Sequence, residues 1–143
     1  MRRTLAIVLV SIGAVLALAG CGGGGGKNST TVVGVIWQWN GLYETHPANV
    51  SAVPDPGNYL LLLNSDGNFE AKADCNQVSG TYKLSGNHLV LTLGPSTKAA
   101  CGPNSLSDKY IALLGQVASQ AISDGSLVLG LQSDAGQMFF HTG

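Results

Sequence analysis

Three cysteines, three histidines and a scatter of aspartates carry most of the chemical potential in this 143-residue sequence. A metal site or a nucleophilic centre needs such groups to converge, so their spacing is the first thing to read. His46 stands in a proline-rich stretch, His88 on a row with Val90 and Thr92, and His141 two residues from the end. Cys75 and Cys101 have neither CxxC spacing nor a nearby histidine, which argues against a zinc or redox motif. Asp66, Asp74, Asp124 and Asp134 fall at turns or strand ends, where aspartate bonds the backbone, and they are too dispersed for a calcium loop. No HExxH or GxSxG occurs, and the glycine run Gly22 to Gly26 lacks the strand, lysine and helix of a phosphate-binding loop. The reading is therefore of a protein that is not an enzyme, with no catalytic residue, no metal ligand and no cofactor.

Cys21 is different, because of what precedes it. The opening MRRTLAIVLVSIGAVLALAG places two arginines before an apolar run from Leu5 to Ala19. That run is shorter than a spanning helix and ends in small residues, as a cleavable export signal does. Leu18, Ala19, Gly20 and Cys21 resemble the lipobox of bacterial lipoproteins. The resemblance implies lipidation of the Cys21 thiol, cleavage before it, and a membrane as the first partner. Acyl chains stabilise membrane attachment by about 0.8 kcal/mol per buried methylene, so two or three of them, palmitate-like, make a firm anchor. A secreted protein with an ordinary cysteine at the cut is the alternative. Gly22, where an inner-membrane retention signal usually places aspartate, points to an outer membrane if there is one. Otherwise the anchor sits in the cell membrane, with the domain facing the periplasm or the cell exterior.

Three segments follow: a signal peptide at 1–20, a flexible Gly-rich tether at 21–31, and a domain at 32–143. Cleavage leaves 143 − 20 = 123 residues, enough for one core. The mature charge is five lysines minus eight acids, 5 − 8 = −3, which offers no basic stripe for nucleic acid. With Cys21 acylated in an oxidising compartment, Cys75 and Cys101 remain as a pair and are expected to be joined in a disulfide, two separately buried thiols being the alternative.

The domain itself reads as mainly β (α+β). Val33, Val35, Trp37 and Trp39 share one face of a first strand, and 44–58, rich in proline, reads as a long irregular loop. Tyr59 to Leu63 is a second strand. Phe69, Ala71 and Ala73 point inward after the turn at Asn64 to Gly67, and Leu89, Leu91 and Leu93 form the inner row of the next hairpin. Leu127, Leu129 and Leu131, with Met138 and Phe140, make a last one. Leu106, Tyr110, Leu113, Leu114 and Val117 recur at helical spacing, and Ser105 with Asp108 looks like a capping box, so a helix of about three turns is expected. The sum is seven or eight antiparallel strands in a curved sheet or partly closed barrel, with one helix packed on it.

These landmarks carry a second resemblance. Trp37, then Asp74, Cys75, Asn76, Gly80, Thr81 and Tyr82, then Ser96, Thr97, Lys98, Ala99, Ala100 and Cys101, followed by the helix and a strand ending near Phe140, resemble the META domain family of HslJ-like envelope proteins. The order and spacing of these residues over 32–141 carry the likeness more than any one of them. The sequence departs from the pattern at Ala99, where the family usually has methionine, and in its longer proline-rich loop. The resemblance implies a stress-linked, heat-shock-type envelope protein that works as a non-enzymatic binding module, meeting an unknown envelope protein or polymer. A second reading is a carrier of a small apolar ligand or acyl chain, with Trp37, Trp39, Tyr59 and Phe69 lining a barrel pocket. A third is an enzyme acting on cell-wall or lipid substrates.

Overall fold

The structure is a computed structural model that describes residues 31–143. The leader, Cys21 and the tether up to Thr30 lie outside the described residues. Nine strands run in chain order: β1 (Ile36–Thr45), β2 (Ala48–Ala52), β3 (Tyr59–Leu63), β4 (Asn68–Ala73), β5 (Asn76–Ser85), β6 (His88–Ser96), β7 (Val117–Ser123), β8 (Ser126–Leu131) and β9 (Gly136–Thr142), with one helix, α1 (Ser107–Leu114), between β6 and β7. The sheet is antiparallel throughout. It closes because β1 pairs with β9 along nearly its whole length while its other edge takes β3. Eight strands thus form a barrel, and β2 is a ninth attached to the far half of that second edge, from Gly41 to Thr45.

Two strands lie where the sequence pattern suggested none. β2 sits within 44–58, where the prolines hid a five-residue strand whose side chains are too exposed to alternate in polarity. β7 begins at Val117, the residue that completes the helical spacing. α1 is correspondingly shorter, eight residues, a little over two turns. Its N-cap is Leu106 without a side-chain cap, and Ser105 accepts only the Ser107 N–H at 3.2 Å, so the capping box is not formed. Leu93 is 37% exposed rather than inward.

Two glycines shape the pairing of β5 with β6. A Cβ on Gly80 would overlap the Thr92 carbonyl oxygen, and one on Gly94 would lie 2.8 Å from the Ser79 carbonyl oxygen. Only bare backbone lets β5 and β6 cross this closely, at a bulge between Val78 and Gly80 that adds twist. Gly80 lies inside a strand and serves by close approach.

The interior is filled by side chains. Trp37, Trp39, Phe69, Phe140, Leu61, Leu89, Leu127 and Leu129 are buried. Tyr110 enters from α1, stacked on Trp39 with centroids 5.1 Å apart and planes 20° off parallel, and Tyr59 meets both rings edge-on at 5.7 and 5.6 Å. Such contacts add about 0.5–1.5 kcal/mol each beyond area burial. The two indoles find acceptors, Trp37 donating to the Val32 carbonyl at 3.0 Å and Trp39 to that of Gly41 at 2.8 Å.

The Tyr110 hydroxyl has no partner, and burial pushes its pKa well above the usual tyrosine range, so it stays neutral. A buried unsatisfied hydroxyl costs about 1–3 kcal/mol. Tyr110→Phe keeps the ring and removes that cost, so chemical denaturation is expected to show a variant at least as stable as the parent, by up to about 1 kcal/mol. A clear loss of stability would mean that the hydroxyl is satisfied.

Candidate functional site

Most of the residues that carry the resemblance gather at one corner, where β4 turns into β5. Asp74 occupies the turn with φ 59 and donates its N–H to the Asn58 carbonyl at 2.7 Å. Cys75 follows, bridged to Cys101 with Cα atoms 5.7 Å apart. The bridge expected from the sequence is the one present.

Asn76 opens β5 and is buried. Its carboxamide uses both ends. Nδ2 donates to the Ala99 carbonyl at 3.1 Å and to Ser107 Oγ at 3.0 Å, and lies 3.3 Å from Cys101 Sγ. Oδ1 accepts from the Ala99 N–H at 2.7 Å and from the Thr97 hydroxyl at 3.0 Å. The Gln77 N–H closes the ring on Thr97 Oγ1 at 3.0 Å. One amide therefore holds the whole segment between β6 and α1 and fixes where the helix begins. Ala99 takes part through its backbone alone and is exposed, which is why alanine serves there.

Ser107 is the participant that sequence reasoning passed over in favour of Ser105. Its signal was present: three residues before Tyr110, it lies on the same helix face as the buried ring. Tyr82 is half-buried and donates to the Asn64 carbonyl at 2.6 Å, pinning the β3–β4 turn. In that turn the backbone and side-chain amides of Asn68 hold the Asp66 carboxylate below the usual carboxylate range.

Trp37, Trp39, Tyr59 and Phe69, the suggested pocket lining, are at most 4% exposed. They pack the barrel instead of surrounding a space within it. Tyr59 reaches the rim, where its hydroxyl accepts the Leu106 N–H at 2.8 Å. His46, His88 and His141 stay apart, and no group of three or more His, Cys, Asp or Glu among the described residues is placed to hold a metal.

The concavity of interest is outside. A groove of about 640 Å³ runs over the outer wall, with Ile36, Leu60 and Leu62 along one flank and Pro95, Ser96 and Thr97 along the other. Gln77 and Ser79 are part of its lining, with Glu70 and Lys72. Lys72 is tied back to the Gly57 carbonyl and Asn58 Oδ1, both at 3.3 Å. Ser96 and Thr97 thus serve twice, at the end of the crossed β5–β6 pair and as a wall of the groove.

A small closed antiparallel barrel, plugged by one helix and tied at one corner by a disulfide, is the class of protein these features define. The META domain family model matches residues 34–142, and the chain belongs to the META domain family. Two solved structures share the fold. A protein from Burkholderia xenovorans determined by NMR has 22% identity and a TM-score of 0.64, over 78% of this chain and 83% of that one. A crystal structure of a duf4847 family protein from Bacteroides vulgatus has 13% identity and a TM-score of 0.57, over 77% and 93%. No curated protein matches the sequence.

The corner makes a quantitative expectation. Asn76→Ala leaves buried partners unsatisfied and is expected to cost about 3–5 kcal/mol in denaturant unfolding. Replacing Cys75 and Cys101 together by serine opens a 26-residue separation and costs about 3–4 kcal/mol in the chain-entropy account. If the Asn76 variant lost less than the disulfide variant, the amide would not be the main anchor.

Proposed function

We propose that the mature chain is an envelope lipoprotein whose META domain acts by contact. Anchored through acyl chains on Cys21, it meets an envelope protein or polymer along the outer groove. The observation that carries this reading is where the concave space lies: the barrel interior is occupied by its own aromatic residues, while Ile36 and the half-buried Leu60 and Leu62 line an open groove on the outside. Exposed apolar surface with a polar rim is the mark of an interaction site. A long Gly-rich tether suits a domain that must reach its partner above a bilayer. The link to stress tolerance rests on the family resemblance alone.

The carrier reading has the packed interior against it. The enzyme reading has against it the separation of the three histidines, of which His46 and His88 are exposed.

Two measurements test the proposal. Mass spectrometry of the N-terminal peptide from the native host is expected to show a diacylglyceryl adduct on Cys21, and Cys21→Ser is expected to release the chain from membranes. A photo-reactive residue at Leu62 is expected to capture an envelope component, and one at exposed Lys83 is not. An unacylated Cys21 would remove the anchor. A lipid-sized mass bound stoichiometrically to the native protein would replace the contact reading with the carrier.

A further inference from the structure

Beyond the groove, β2 leaves a second surface with a defined geometry. Backbone groups of successive residues in a strand point to opposite edges. The Val53 N–H donates to the Asn40 carbonyl at 3.0 Å, which sets the phase: Val53, Ser51 and Asn49 bond towards β1. The Thr45 N–H donates to Ala135 at 3.1 Å, so odd residues of β1 face β9 and even ones face β2, in agreement. The N–H and C=O groups of Ala48, Val50 and Ala52 therefore point away from the barrel. Among the described residues no strand pairs with that edge.

Edge strands are normally blunted by lysine, an internal proline, a bulge or a covering element. β2, Ala-Asn-Val-Ser-Ala, has no charge and no proline, and its pairing with β1 runs without a bulge. Its central Val50 is 76% exposed, the most exposed of the large apolar residues among those described. The strand is also symmetric in polarity about Val50, with a polar residue on each side and alanine at both ends. A two-fold axis through Val50 makes an antiparallel pair in which Val50 faces Val50 of a second copy, Ala48 faces its Ala52, and Asn49 faces its Ser51. All three outward residues then bond, small side chains let the backbones approach, and the polar pair can hydrogen bond on the other face.

We infer that β2 is a self-association edge at which two copies of this chain join their barrels into one continuous sheet. A partner with an arbitrary strand would satisfy the same backbone groups, but a second copy also matches the strand's polarity pattern position for position. A five-residue pairing buries far less than the roughly 1,000 Å² of a stable interface, so the association is weak and is best trapped covalently.

The test uses the full chain in its host membranes. At an outward-bonding pair the Cα atoms lie about 5.5 Å apart, within disulfide range. Mild oxidation of Val50→Cys is expected to give a disulfide-linked dimer on a non-reducing gel, and Lys83→Cys is not. Ala48→Cys is expected to crosslink only when co-expressed with Ala52→Cys, which reads the register itself. Equal dimer from Val50→Cys and Lys83→Cys, no dimer from either, an adduct with a different protein, or self-linking of Ala48→Cys alone would each overturn the inference. Val50 is exposed, so none of these outcomes is confounded by misfolding.

Discussion

The Asn76 carboxamide is the contact on which the domain's shape depends. An eight-stranded barrel needs its interior filled, and here part of the filling, Tyr110, arrives on a helix that belongs to no strand. Something must hold that helix at the right height and angle. Asn76 does so by bonding both backbone groups of Ala99, the Thr97 hydroxyl and Ser107 at the first turn of α1. The disulfide beside it limits the unfolded chain, whereas the amide specifies the folded one. An unpaired buried amide costs more than a paired one contributes, so the geometry is close to all-or-none.

Filling the barrel with its own rings has a consequence for function. A protein that spends its aromatic side chains on Trp39, Tyr59 and Tyr110 packing against one another leaves little interior for a guest. The open concave surface lies on the outer wall instead. Gly80 and Gly94 let β5 and β6 approach closely at the bulge between Val78 and Gly80, and the groove runs along the outer face beside it.

The seam between β6 and β7 shows the same economy. These strands pair only at His88 and Ser119, reinforced by the Gln120 N–H on the Asn87 carbonyl at 2.8 Å and the Gln120 side chain on Gly86 at 3.1 Å. Closure at this point rests on this short pairing and on the hydrogen bonds of Gln120 to the β5–β6 turn.

Much of this was legible in the chain. Alternation of Phe69, Ala71 and Ala73, or of Leu127, Leu129 and Leu131, reports a buried face within a few residues. The spacing of Tyr110, Leu113 and Leu114 reports a helix, and the two cysteines report their bridge. These signals are local, so sequence alone determined the mainly β class and most of the strands. Closure of the sheet, the roles of Ser107 and Gly80, the existence of β2 and β7, and the outward position of the groove depend on which distant backbones meet. Prolines around β2 and the helical phase of Val117 misled a local reading because both elements are defined by pairing with partners elsewhere. Only the tertiary structure decides such pairings, since a hydrogen bond between strands leaves no mark on the side chains of either one alone.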